Sequence, residues 1–124
     1  MTRTHEIRVA RVYDAPAAAG GARLLVDRLW PRGIAKAKLP LDAWLKQVAP
    51  SNELRKWYHH APEHWEEFRR RYTAELDANS AAVEECLSWC RRGPVTLLTA
   101  ARDSEHSQAT VLHGYLAARL EKGG

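Results

Sequence analysis

The sequence has few cysteines and no long hydrophobic segment, and both absences narrow the class of protein. Its two cysteines, Cys86 and Cys90, cannot form the disulfide framework typical of small secreted domains. Their spacing places both on the apolar face of a predicted helix, so we expect them to be structural. No apolar run approaches the roughly 20 residues that span a bilayer, and residues 1–6 lack the apolar segment of a signal peptide. We therefore expect a reduced, cytoplasmic protein that does not enter the membrane.

Phenylalanine is scarce, whereas the other two aromatic residues are common. The chain has one Phe against five Trp and four Tyr. Trp and Tyr combine an apolar ring with a polar group, so they suit half-hydrated clefts as well as cores. The formal charge is +4 at pH 7, which is modest beside the clustered basic residues of dedicated nucleic-acid-binding proteins. The composition is therefore that of an ordinary globular protein.

The length and the hydrophobic pattern predict a single α/β domain over residues 1–124, with a core from about 6 to 120. We expect a small, mostly parallel sheet of three or four strands, flanked by about five helices. The connection between the first two strands is short for a parallel crossover, so their relative direction stays open. The predicted strands lie at 6–13, 22–29 and 95–100. The predicted helices lie at 41–48, after a Ser51 cap through 54–58, at 62–77, from a Ser80 cap to the break at Gly93-Pro94, and at 105–119.

Two of these predictions, the strand at 95–100 and the helix at 41–48, depend on a clear hydrophobic pattern. The run 95–100 is apolar without polar alternation, which is typical of a strand buried on both faces and central in its sheet. The first helix depends on the spacing of Leu41, Trp44, Leu45 and Val48, which is that of one helical face.

Chemistry-bearing residues directly follow the predicted central strand. The turn at 101–107 opens a helix, whose first amides lack partners within the helix and carry the positive end of its dipole. Arg102 adds a positive charge, and His106 lies in the first turn. The turn therefore predicts an anion-binding site that includes Asp103 and Ser104. The alternative is that one of these two residues caps the helix and occupies the amides itself.

A second polar segment follows the apolar run 24–26 and overlaps the end of the strand predicted at 22–29. Arg28 and Arg32 flank a tryptophan and a proline, and an arginine side chain can bind a carboxylate or a phosphate through two parallel hydrogen bonds. Pro31 restricts the local chain and Gly33 permits positive φ, so we expect a rigid loop. Arg28, Trp30, Arg32 and Gly33 are predicted to bind a ligand. The alternative is that an arginine pairs with a nearby aspartate and that the tryptophan fills the core.

Three histidines cluster near the start of one predicted helix. His60 and His64 are four residues apart, but Pro62 lies between them and argues against a continuous helix that could hold a metal. We therefore expect neither a metal nor a cofactor. A proton-transferring or ligand-orienting role for His60 stays open, beside a capping or surface role.

Four blocks of the sequence form a specific set: RLWPRG at 28–33, LRKWYHH at 54–60, WEEFRRRY at 65–72 and LLTAARDSEH at 97–106. Together and in this order they resemble the YeaO-like family of small bacterial proteins. The resemblance covers about residues 7–120 and implies a compact cytoplasmic α/β domain, with no established reaction or cofactor. Thr99 and Ser107 depart from the family pattern. The positions that match it include Arg28, Trp30, Pro31, Arg32, Gly33, His60, Asp103 and His106.

Three functional hypotheses follow. The favoured one is a site for a small anion, a phosphate ester or a carboxylate, in which His106 or His60 can transfer a proton. The second is an accessory nucleic-acid-binding protein that uses the three arginines at 69–71. The third is a protein-interaction module that inserts Trp30 into a partner.

Overall fold

A computed structural model describes residues 6–13, 21–35, 39, 41–101 and 106–123. Within these residues the chain forms four strands and four α-helices. The strands are β1 (Ile7–Arg11), β2 (Ala22–Leu25), β3 (Ala43–Trp44) and β4 (Val95–Thr99). The helices are α1 (Asn52–His60), α2 (Trp65–Asp77), α3 (Ser80–Arg92) and α4 (Gln108–Gly123), and a 3-10 turn at Lys46–Val48 follows β3.

The four strands form one parallel sheet in the order β1-β4-β2-β3. The predicted α/β class and the mostly parallel sheet are confirmed. β4 lies between β1 and β2, and all five of its residues are buried, which confirms that its apolar run is a central strand. The sequence left the relative direction of the first two strands undetermined. In the structure β1 and β2 run parallel, because each pairs in parallel with β4, which lies between them.

The prediction of a helix at 41–48 is wrong, and the helix count is four and not five. Leu45 and Val48 pack in the core cluster on the helix-covered face of the sheet, whereas Leu41 and Trp44 pack in the cluster on the opposite face. The apolar residues therefore cover two faces, as in an edge strand and its continuation. The Leu45 amide donates to the Leu25 carbonyl at 2.8 Å, which ties this segment to β2.

The two clusters explain how the sheet is covered. All four helices contribute to the larger cluster, and the buried residues Phe68, Tyr72 and Leu76 form the inner face of α2. No residue of the helices belongs to the smaller cluster among the described residues, where Trp30, Ile34 and Trp44 pack instead. The loop that follows β2 thus covers one face of the sheet. No described helix is long and apolar enough to span a bilayer.

The start of α1 is fixed by a network that also joins it to α2. The Ser51 hydroxyl accepts a hydrogen bond from the Leu54 amide at 3.1 Å, as an N-cap does. The Ser51 amide and hydroxyl in turn donate to the Glu75 carboxylate at 2.8 and 2.6 Å. This network holds the first turn of α1 beside the end of the loop that follows β3.

Candidate functional site

A cleft of about 450 Å³ lies where β2 and β4 end. The two strands are parallel neighbours, so the segments that follow them emerge at the same edge of the sheet. Residues 27–32 and 99–101 both line the cleft, together with three side chains of α1 and one of α4. The structure therefore brings together the two polar segments that the sequence singles out, as far as their residues are described.

Asp27 joins the two segments. Its carboxylate accepts hydrogen bonds from the Thr99 hydroxyl at 2.8 Å, from the Ala100 amide at 2.7 Å and from the Gln108 side-chain amide. Burial raises the pKa of Asp27 above its usual value, and these three hydrogen bonds oppose the shift. The carboxylate thus links the end of β2 to the end of β4 and to the first residue of α4.

Arg28 lines the cleft and bonds to backbone carbonyls. Its Nε donates to the Pro50 carbonyl at 3.0 Å, and its Nη2 donates to the Ala49 carbonyl at 3.1 Å. These bonds fix the guanidinium against the segment that leads into α1, but a carbonyl does not neutralise its charge. The alternative in which Arg28 pairs with a neighbouring aspartate is not what the described residues show.

Arg32 and Arg55 also line the cleft, and neither forms an ion pair within the described residues. Arg32 is exposed. Arg55 is half-buried, and its Nη2 makes a long bond of 3.5 Å to the Asn52 side chain. Its Nε is buried and finds no acceptor among the described residues, and a buried donor in that state costs roughly 1–3 kcal/mol.

The tryptophan loop is held by its own hydrogen bonds. The Trp30 indole N–H donates to the Ile34 carbonyl at 2.6 Å, and its ring meets the Trp44 ring edge-on at 5.4 Å. Gly33 has a φ of 78°, which a glycine adopts without strain. Trp30 and Pro31 line the cleft, and Gly33 lies outside the described lining. Gly33 thus shapes the loop without reaching the cleft.

The two histidines predicted to transfer protons lie beside the cleft and not in its described lining. His60 is exposed at the end of α1. The His106 ring packs edge-on against Trp65 at 5.0 Å, and its backbone carbonyl accepts a hydrogen bond from the Tyr58 hydroxyl at 3.2 Å. His106 therefore contacts Tyr58, which lines the cleft, without being part of the described lining itself. The other predicted ligand-binding residues of this turn, Arg102, Asp103 and Ser104, lie outside the described residues.

Sequence reasoning missed the contribution of α1. Arg55, Tyr58 and His59 line the cleft from one face of this helix. They follow the spacing i, i+3 and i+4, which places side chains on a common face. The spacing is a signal in the sequence, but it does not by itself show which neighbour this face of α1 meets.

The described residues contain no group of three histidine, cysteine or acidic side chains placed to hold a metal ion. Both cysteines are free and buried in α3. Burial raises the pKa of Cys86 to about 12 and that of Cys90 to about 11. A thiol with such a pKa stays protonated near neutral pH and is a poor nucleophile, which favours the structural interpretation of both cysteines.

A larger groove of about 800 Å³ lies between α2 and α4. Its described lining includes two arginines and two carboxylates, so the formal charges cancel. Arg69 pairs with Glu66 at 3.1 Å, and the Asp77 carboxylate accepts a hydrogen bond from the Tyr115 hydroxyl at 2.7 Å. The described lining of the cleft has three arginines against one carboxylate. The cleft is therefore the better candidate for binding an anion.

Comparisons with known proteins agree with the resemblance found in the sequence. Residues 6–124 match the family model described as the inactive DUF488-N3 subclade. Uncharacterized proteins of Mycobacterium tuberculosis and Mycobacterium bovis are each 47% identical over 119 residues, which is 96% of this chain and 100% of each relative. The uncharacterized protein YeaO of Escherichia coli is 41% identical over 110 residues, 89% of this chain and 96% of YeaO.

No solved structure matches the chain significantly. The family assignment therefore rests on sequence, on a family model that covers nearly the whole chain, and on relatives that align over almost their full length. The chain belongs to the YeaO-like family of bacterial proteins, within the inactive DUF488-N3 subclade.

Proposed function

We propose that the cleft binds a small organic anion, a phosphate ester or a carboxylate, and does not convert it chemically. The observation that carries this proposal is the unbalanced charge of the described lining. Arg28, Arg32 and Arg55 face one carboxylate, and that carboxylate already accepts three hydrogen bonds from neighbouring protein groups. An anionic ligand supplies the missing negative charge, and its oxygens can accept hydrogen bonds from the guanidinium groups that line the cleft.

Binding without catalysis fits the placement of the reactive groups. A general base must lie within hydrogen-bond reach of the proton that it removes, but His60 and His106 lie outside the described lining of the cleft. His59 does line the cleft, but its ring contacts His60, and no described carboxylate is bonded to it to orient the imidazole. The description of the matching subclade as inactive supports the same interpretation.

The competing hypotheses have less support. On α2, Arg69 pairs with Glu66 and Arg71 pairs with Glu67, so this basic run is largely neutralised where nucleic acid would need free positive charge. Trp30 lines a cleft, with its indole N–H already bonded within the loop. A tryptophan that inserts into a partner would stand on a convex surface. The two free, buried cysteines support the proposed cytoplasmic location.

The test is a titration with inorganic phosphate at constant ionic strength, followed by phosphorus NMR and by thermal unfolding. We expect saturable binding and a rise in Tm that sodium chloride does not produce. Arg32→Gln removes one cleft charge and should weaken binding at least about tenfold, since hydrogen bonds to charged groups contribute roughly 1.5–3 kcal/mol. In a crystal soaked with phosphate, density should lie among Arg28, Arg32 and Arg55.

Arg91→Gln is the matched control, because Arg91 is an exposed residue of α3 that pairs with Glu84 away from the cleft. Its phosphate affinity should stay within about twofold of the wild type. Equal losses in both variants would contradict the proposal. Binding that strengthens with the length of a single-stranded oligonucleotide and falls steeply with salt would favour a nucleic-acid-binding function instead.

A further inference from the structure

We infer that the anion carries a flat aromatic ring, so that the ligand class is an aryl phosphate or an aryl carboxylate. This inference rests on the anion-binding function proposed above and names the body of the ligand that carries the anionic head. It is drawn from the aromatic side chains of the cleft and from the state of their polar groups.

Four aromatic side chains line the same cleft as the arginines: Tyr13, Trp30, Tyr58 and Phe68. They come from four parts of the chain: the segment after β1, the loop after β2, helix α1 and helix α2. Tyr58 and Phe68 stack on each other with ring centroids 4.3 Å apart and planes 18° apart. The buried Phe68 thus holds the half-buried Tyr58 ring in place, so Tyr58 offers ring surface without further ordering of its side chain.

The polar groups of the three rings that are not fully buried already donate to backbone carbonyls. The Tyr13 hydroxyl donates to the Arg32 carbonyl at 3.0 Å, the Trp30 indole N–H donates to the Ile34 carbonyl, and the Tyr58 hydroxyl donates to the His106 carbonyl. These rings therefore present carbon surface to a ligand, and hydrogen-bond donation falls to the arginines. A ligand that suits both has an apolar body and an anionic head.

Two features favour a ring over an alkyl chain as that body. An aromatic pair in stacked or edge-on contact is stabilised beyond the area that it buries, and an alkyl chain gains no such increment. Guanidinium groups also stack on aromatic faces, so the arginines can contact the ring as well as the head. A cleft of about 450 Å³ lies within the usual range for small-molecule sites, roughly 300–1,000 Å³.

The experiment compares three phosphates by titration of the full chain at one ionic strength: inorganic phosphate, butyl phosphate and phenyl phosphate. We expect phenyl phosphate to bind about tenfold more tightly than inorganic phosphate and about fivefold more tightly than butyl phosphate. If all three bind equally and Arg32→Gln weakens each of them, the anion site stands and the ring inference is overturned. If none of the three binds, both proposals fail.

Variants at Tyr13 locate the effect. Tyr13→Leu removes a ring that is 48% exposed, so little of the core is disturbed, and the preference for phenyl phosphate over inorganic phosphate should fall to about threefold. Tyr13→Phe keeps the ring, loses the bond to the Arg32 carbonyl and should retain the preference. Tyr115→Leu, in the groove between α2 and α4, is the matched control and should also retain it. A preference that survives Tyr13→Leu unchanged would remove Tyr13 from the site. Loss of the preference in Tyr13→Phe would assign it to the positioning of Arg32.

Discussion

The cleft at the ends of β2 and β4 and the groove between α2 and α4 both contain arginines, but the two regions treat them differently. In the groove, Arg69 pairs with Glu66, and arginines and carboxylates are equal in number. In the cleft, and within the part of the chain that the structure describes, Arg28 donates to two backbone carbonyls, and neither Arg32 nor Arg55 forms an ion pair. Charge is balanced locally on the helix surface and left unbalanced in the cleft.

The difference indicates that the groove is an ordinary solvated surface, whereas the cleft has the features of a binding site. Exposed ion pairs contribute little to stability, roughly 0–1 kcal/mol, and serve mainly to balance a solvated surface. A guanidinium nitrogen buried without an acceptor is unfavourable for folding. Such a feature fits a binding site, where some stability is given up for function.

The largest effect that we expect is on stability, and it distinguishes Asp27 in the cleft from Asp77 in the groove. Asp27→Ala leaves the Thr99 hydroxyl, the Ala100 amide and the Gln108 side chain without their acceptor, and should lower the free energy of unfolding by about 3 kcal/mol. Asp77→Ala removes one exposed bond to Tyr115 and should lower it by less than about 0.5 kcal/mol. Urea unfolding of both variants measures the contrast. Similar losses would show that Asp27 is not the link between the strands.

The next largest effect is on phosphate affinity, and it distinguishes Arg55 in the cleft from Arg69 in the groove. Arg55→Met removes the guanidinium with the unpaired Nε and should weaken phosphate binding at least about tenfold, or about 1.4 kcal/mol. Arg69→Met removes an equal charge from the groove and should change the affinity less than about twofold. The phosphate titration of the two variants tests this directly. A loss of affinity in Arg69→Met as large as in Arg55→Met would show that net charge, and not the cleft, attracts the anion.

The same two variants should change stability in opposite directions. Arg55→Met takes away a buried donor that has no acceptor, so the free energy of unfolding should rise by about 1 kcal/mol. Arg69→Met loses the ion pair with Glu66 and should lower it by about 0.3 kcal/mol. Methionine and arginine have similar helix propensities, so the helices themselves do not obscure the result. Destabilisation by Arg55→Met would mean that its side chain supports the fold.

The sequence predicted the central strand of the sheet correctly but not the edge strand β3. The unbroken apolar run at 95–100 can be satisfied only by a strand covered on both faces, so the central position of β4 followed from composition alone. The segment at 41–48 was ambiguous in principle. Its spacing of apolar residues suits a helix, and only the tertiary contact with β2 divides Trp44 and Leu45 between the two faces of the sheet.

The candidate site was predictable where it depends on strand ends, and not where it depends on a helix packed beside them. Arg28 and Arg32 could be placed because their segment follows a predicted strand, and parallel neighbours end at the same edge. Arg55 and Tyr58 could not be assigned to the cleft, because the orientation of α1 depends on long-range bonds. One of these is the bond between Ser51 and Glu75, residues that lie 24 apart in sequence.

The smallest expected effect is the pH dependence of the stability that Asp27 contributes in the cleft. Burial raises the pKa of Asp27 in the folded chain above the ordinary value of 3.8. At pH values between the unfolded pKa and the folded pKa, the folded state therefore binds more protons than the unfolded state. The stability that Asp27 contributes is therefore fully present below its unfolded pKa and is lost as the pH rises through its folded pKa. Relative to Asp27→Asn, the wild type should lose less than about 1 kcal/mol between about pH 4 and about pH 6. Urea unfolding at the two pH values measures this difference, and a relative gain in wild-type stability would show that the hydrogen bonds from Thr99, Ala100 and Gln108 outweigh the burial of the carboxylate.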